Sequence, residues 1–175
     1  DSVESIDYAL PPLRTAWLHI RPEKIGVSLS FNDPIEAVEL EVNGESVTMD
    51  GKSEEDKILD LVEAVKSGDP DIIFTRGGDS YLFPYLAHRA FVNGILDKLI
   101  LSRENVPVKA RLNRGRTFFS YGRVYHKAPI RRLFGRIHID VDNTFIYASC
   151  GMEGLIEVAR TCGVPMHRAA RASIG

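Results

Sequence analysis

The chain has 175 residues, 44% hydrophobic and 26% charged, enough apolar material for one domain with a real core and no need for a second. It contains no apolar run near the length of a membrane span and no basic-then-apolar leader, so a cytoplasmic protein without a membrane partner is expected. The formal net charge of -2 conceals a division: residues 1–75 carry 17 acidic and 6 basic side chains, whereas residues 76–175 carry 7 and 16.

In chain order, Leu13 to Ile20 and Ile25 to Phe31 read as strands, with Arg21-Pro22-Glu23-Lys24 turning between them. Ile35 to Val42 alternates apolar and acidic residues as a third strand, and Asn43-Gly44 is a strong hairpin signal joining it to Glu45–Met49. Ser53-Glu54-Glu55-Asp56 caps a helix whose face is Ile58, Leu61, Val62 and Val65, stopped by Gly68-Asp69-Pro70. Ile72, Ile73 and Phe74 suit a strand buried on both faces. Gly77-Gly78 turns out of it, and Asp79 or Ser80 is expected to cap a helix carrying Leu82, Tyr85, Leu86 and Arg89, with Pro84 early in its first turn. Val92 to Leu101 forms the exit of that helix.

Arg116 to Tyr125 alternates aromatic and polar residues around Tyr121-Gly122, predicting a hairpin, and Ile130 to Phe134 predicts a further strand. Arg136 to Val141 predicts a strand with one buried face. Met152 to Thr161 predicts a helix ended by Cys162-Gly163, and Met166 to Ala172 a last short helix. Cys150 and Cys162 have no partner at metal-ligand spacing and are expected to be reduced and packed. The order predicts an α/β protein with a ribonuclease H-like mixed sheet: three antiparallel strands, then parallel strands with flanking helices, plus a basic β-hairpin insertion.

The segment Asp69 to Arg89 resembles the second exonuclease motif of family B DNA polymerases, an Asp-x-Ile-x strand followed by Asn-x-x-x-Phe-Asp and Pro-Tyr-Leu. Aligned on Phe83-Pro84-Tyr85-Leu86, the family's Asn falls on Gly77, its Phe on Tyr81 and its metal-binding Asp on Leu82. The first motif, Asp-Ile-Glu, follows a Pro-Pro-Leu-Arg approach; here Pro11-Pro12-Leu13-Arg14 leads to His19 at the Asp and Arg21 at the Glu. Gly135-Arg136-Ile137-His138-Ile139-Asp140 resembles the strand before the third motif, Tyr-x-x-x-Asp. Val141 to Glu153 is too short for the helices that carry that motif, and the position four after Tyr147 is Gly151. The resemblance implies a single exonuclease-like domain over residues 1–175, with 154–175 as the approach to a polymerase palm beyond Gly175. A chain opening on Asp1 and ending there is expected to be a fragment of something longer.

Nucleases of this architecture gather carboxylates around two divalent ions. Leucine offers no ligand, and arginine puts fixed positive charge where a dication would sit. The implied domain is therefore non-catalytic, with His19, Arg21, Gly77 and Leu82 as degenerate positions and no cofactor. Asp79 and Asp140 remain the metal candidates: helix capping accounts for the first, and a structural hydrogen bond for the second. An active exonuclease using Mg²⁺ or Mn²⁺ would need displaced carboxylates such as Asp79, Asp140 and Asp142. His19 and His138 would make a transition-metal pair only on adjacent strands.

Between Glu104 and Asp140 there is no acidic residue, while Lys109, Arg111, Arg114, Arg116, Arg123, Lys127, Arg131, Arg132 and Arg136 all fall there. Interleaved with Phe118, Phe119, Tyr121, Tyr125 and Phe134, they supply phosphate contacts and stacking surfaces for DNA. The expected function is a scaffold and sequence-independent DNA-binding surface beside the polymerase portion of the same chain. The alternatives are the displaced-carboxylate exonuclease and an interaction module whose acidic half docks a basic partner.

Overall fold

Asn43 and Gly44 both adopt positive φ, 51° and 89°, and their turn pairs the strand Ile35–Val42 (β2) with Glu45–Met49 (β3) in antiparallel register, Val42 opposite Glu45. The computed structural model describes residues 12–23, 30–51, 53–109, 116–120, 123–127 and 130–171, with 116–120 and 123–127 described by backbone pairing alone. The first strand, Thr15–Pro22 (β1), pairs antiparallel with β2, and the register breaks between Arg21 and Pro22, where proline lacks the ladder N–H. Most of the expected strand Ile25 to Phe31 lies outside the described residues; Phe31 itself is in a turn.

Ser53 caps the first helix, Glu54–Gly68 (α1), by accepting a hydrogen bond from the Asp56 amide. The strand that follows, Ile72–Thr75 (β4), is buried at every position and pairs parallel with β1. A π-helical turn, Gly78–Leu82, then feeds the second helix, Phe83–Val92 (α2). Arg116–Ser120 (β5) and Arg123–Lys127 (β6) form a separate antiparallel ribbon. Ile137–Asp140 (β7) returns to the main sheet parallel to β4, giving the order β3-β2-β1-β4-β7. The chain closes with Phe145–Cys162 (α3), broken at Gly151 by a non-helical φ of 65°, and Met166–Ala169 (α4). This mixed five-stranded sheet with flanking helices has the expected ribonuclease H-like order.

The sheet separates two cores. Ala16, Leu18 and Ile73 pack with Ile58, Leu61 and Val65 of α1 and Phe83, Tyr85 and Leu86 of α2. Ile72, Phe74 and Ile139 pack on the opposite face with Leu155 of α3 and Ala169 of α4. Each fully buried aliphatic or aromatic side chain contributes about 1.5–3 kcal/mol relative to exposure. A buried ion pair clamps the first core: Arg89 Nε and Nη2 each donate to Glu54 at 2.7 Å, while Arg89 Nη1 donates to the Asn32 carbonyl.

Three local expectations are corrected. Ile130–Phe134 is irregular backbone rather than a strand, because Leu133 turns into the first core and Phe134 pairs its amide with Ser102 Oγ. Cys150 and Cys162 are free as expected, but exposed rather than packed, since only Leu155 of α3 is fully buried. The helix predicted from Met152 starts at Phe145, where Thr144 accepts from the Tyr147 amide. No helix among the described residues is long and apolar enough to cross a membrane.

Candidate functional site

The C-terminal ends of parallel strands are where α/β folds present chemistry, and here that end carries a buried polar cluster. β4 ends on Thr75, β7 on His138-Ile139-Asp140, and strand alternation puts His138 and Asp140 on one face. Thr75 is fully buried, His138 is 2% exposed, Asp79 1% and Asp140 4%. Thr75 Oγ1 lies 2.8 Å from His138 Nε2, and His138 Nδ1 lies 3.1 Å from the Arg131 carbonyl. A carbonyl only accepts, so Nδ1 carries the proton and the Thr75 hydroxyl donates to Nε2. Burial, ahead of a nearby Arg171 charge, holds the imidazole down to about 4, so it is neutral at pH 7.

Asp79 does not cap a helix. The π turn starts from Gly77 with no side-chain cap, and the Asp79 carboxylate instead accepts from the Arg131 amide at 2.6 Å and from Asn143 Nδ2 at 2.9 Å. Burial pushes its carboxyl up, against these hydrogen bonds and the charges of Arg171 and Arg131. Asp140 accepts from the Asp79 amide at 2.9 Å and from the Asp142 amide at 3.2 Å, the structural role expected of it. Asp142 turns away to an exposed ion pair with Arg76. All four oxygens of Asp79 and Asp140 thus accept hydrogen bonds from the protein, and among the described residues no three His, Cys, Asp or Glu side chains gather as a metal site.

The degenerate positions do not converge. His19 and Arg21 alternate with Ala16, Leu18 and Ile20 on β1 and so face the other side of the sheet; both are exposed, and Arg21 pairs with Glu36 and Glu39. Leu82 is 5% exposed within the first core, the one that contains Ala16 and Leu18. Gly77 sits in the turn at φ 63°. His19 and His138 do not make a pair, because β4 lies between β1 and β7.

The nine cations of the basic run have different placements. Arg131 and Arg136 are buried: Arg131 Nη1 donates to the Lys109 carbonyl, and Arg136 donates to the Pro70 and Val65 carbonyls beside Asp69. They tie the 131–136 segment to Lys109, to α1 and to the turn before β4, and do not form an outer surface. Lys109 and Arg132 are exposed. Arg111 and Arg114 lie outside the described residues. Arg116, Arg123 and Lys127 fall on the ribbon, whose register sets Arg116 opposite Lys127, Phe118 opposite Tyr125 and Ser120 opposite Arg123. These pairs alternate along the ribbon.

Sequence reasoning missed Thr75, Asn143, His167 and Arg171. Only the crossing of β4, β7 and the C-terminal turn brings Arg171 Nη2 to the Arg131 carbonyl at 3.1 Å. The available signal was the His138-x-Asp140 alternation at a strand end.

No family model matches the chain. Over 53 residues, 30% of the chain, it is 47% identical to a DNA polymerase of Pyrococcus horikoshii and to DNA polymerase 1 of Pyrococcus abyssi. Over 89 residues, 51% of the chain, it is 32% identical to a DNA polymerase of Thermococcus litoralis. The matched parts cover 4%, 7% and 4% of those proteins, so the chain corresponds to a small part of each. In three dimensions, 93% of the chain matches 21% of the family B DNA polymerase from the hyperthermophilic archaeon Pyrobaculum calidifontis, with a TM-score of 0.60 and 21% identity. The chain therefore has archaeal DNA polymerases as homologues over part of its length, and its ribonuclease H-like fold is shared with part of a family B DNA polymerase.

Proposed function

We propose that the chain is a non-catalytic, exonuclease-like domain of a family B polymerase-related protein, serving as scaffold and sequence-independent DNA-binding surface beside a polymerase portion. The observation that carries the binding role is the ribbon register, which pairs Arg116 with Lys127, Phe118 with Tyr125 and Ser120 with Arg123 in a stretch that mixes cations and aromatics without an acidic residue. That combination suits phosphate neutralisation with base stacking, and it reads no sequence. The absence of catalysis is supported by His19, Arg21 and Leu82 at the resembled carboxylate positions and by their facing different sides of the sheet.

The exonuclease reading rests on one observation, the direct contact of Asp79 and Asp140. Against it, their oxygens are engaged by Arg131, Asn143, Asp142 and Asp79 donors, and a metal would have to break these bonds. Anisotropy titration of labelled single-stranded and primed DNA across salt tests the binding role. Binding should weaken steeply with salt, with a slope of roughly -0.7 per phosphate contacted on a single strand. Absence of binding at low salt would sink the proposal. Incubation of the same DNA with Mg²⁺ or Mn²⁺ should leave it intact; degradation abolished by Asp79→Ala or Asp140→Ala would establish the enzyme.

A further inference from the structure

A groove of about 510 Å³ opens between the 131–137 segment and the C-terminal turn, and it reaches His138 at the edge of the strand-end cluster. Its volume is in the range of small-molecule sites. Leu13, Leu133 and Ile137 give it apolar walls, and Arg132 and His167 stand on it. Phe134 also lines it and is 41% exposed, so its ring is open to a planar partner. Three of the other lining cations are committed elsewhere: Arg103 pairs with Asp69 and Asp71, Arg136 with Asp69, and Arg171 donates to the Arg131 carbonyl.

Arg132 on the groove, and Arg168 next to His167 in sequence, are exposed and have no carboxylate partner among the described residues. Burial and the charges of Arg132, Arg171 and Arg168 together depress His167. Arg171 has Asp79 as counter-charge and Asp71 is engaged by Arg103, so Arg132 is the lining arginine left to attract an anion. The segment presenting Phe134 is also fixed in advance. Arg103 N donates to the Phe134 carbonyl at 2.8 Å, Ser102 Oγ accepts from the Phe134 amide at 3.0 Å, and Arg103 Nη1 donates to the Gly135 carbonyl at 3.0 Å. Gly135, at φ 75°, permits that turn: a Cβ there would stand 2.8 Å from Arg103 Cβ. A preorganised aromatic ring beside an unpaired cation suits a ligand with alternating planar and anionic parts.

We infer that this groove seats one nucleotide of a single DNA strand, its base against Phe134 and its phosphate on Arg132. The inference rests on the DNA-binding reading but uses residues separate from the ribbon. The test measures binding of a labelled oligothymidylate by the 175-residue chain, compared with a duplex of equal length, in three proteins: wild type, Arg132→Glu/Phe134→Ala, and the ribbon variant Arg116→Glu/Lys127→Glu. The groove variant should bind the single strand roughly 10-fold or more weakly, from the loss of one stacked base and one phosphate contact, with a smaller change for duplex. An oligonucleotide carrying 5-iodouracil should photocrosslink to Phe134, a readout independent of variant folding. Wild-type affinity in the groove variant, or crosslinks confined to the ribbon, would overturn the groove while leaving DNA binding standing. Failure of the wild-type chain to bind any DNA would overturn both. Displacement of the oligonucleotide by dTMP at comparable concentration would mark a mononucleotide site and overturn the strand assignment.

Discussion

Gly78→Ala tests whether the strand-end cluster is packed as tightly as its geometry states. A Cβ at position 78 would stand 1.9 Å from Thr75 Oγ1, 2.8 Å from Thr75 Cβ and 2.8 Å from His138 Nε2. Thr75 is fully buried on β4 and bonded to that same His138 nitrogen. Its hydroxyl cannot swing aside without leaving the imidazole unpaired. Overpacking a close-packed interior costs about 1–3 kcal/mol, and an unsatisfied buried polar group about 1–3 kcal/mol more, giving roughly 2–6 kcal/mol in total. With a urea m-value of about 2 kcal/mol/M, the midpoint should fall by about 1–3 M at unchanged slope. Gly77→Ala is the internal control: its nearest contact would be Ser80 Oγ at 3.7 Å, but its φ is 63°, so only backbone strain of about 1–2 kcal/mol is expected. Thr75→Ala should relieve part of the Gly78→Ala defect, because the two sites touch. A Gly78→Ala midpoint within the error of wild type, or a larger loss at Gly77, would refute this account of the cluster.

Three further outcomes follow from the same structure. His138 titrates at about 4 folded and at about 6.5 unfolded; the unfolded chain therefore binds the extra proton between these values. Stability should drop as pH falls from 6.5 to 4, by about 3 kcal/mol from this group, and chemical denaturation of His138→Gln should show a flatter profile over that window. Arg89→Ala strands Glu54, which is 13% exposed in its side chain, and should cost about 3–5 kcal/mol by thermal or urea unfolding. Asp69 is held down to about 2, first by the Arg103 hydrogen bond and then by the charges of Arg103, Arg136 and Arg14. Its contribution to stability is present above the ordinary Asp value and lost as pH falls toward 2, so NMR titration should show its carboxyl moving back up in Arg103→Ala.

The sequence by itself determined what is local. Asn43-Gly44 could only make its tight turn, Ser53 with Asp56 could only start a helix well, and the apolar run at 72–74 had to be buried on both faces. The order of these elements, with the right-handed parallel crossover that follows from it, was enough for the ribonuclease H-like sheet. The polymerase-like frame was also legible, because motif residues such as Phe83-Pro84-Tyr85-Leu86 are consecutive.

Only the tertiary structure decided the roles of side chains whose partners are remote in sequence. Asp79 looked like a helix cap because local rules see its neighbours; its real donors, Arg131 and Asn143, are brought by the segments before and after β7. Arg131 and Arg136 looked like surface cations because nothing nearby was acidic, yet their donors reach carbonyls at 109, 70 and 65. Gly78 looked like a second flexible turn residue beside Gly77, but the constraint on it is space, set by Thr75 and His138 on two different strands. The groove beside Phe134 is likewise a product of long-range assembly, since its walls come from residues as far apart as Leu13 and Arg171. Periodicity and turn chemistry act within a few residues, whereas burial and pairing are set by what the whole chain brings alongside.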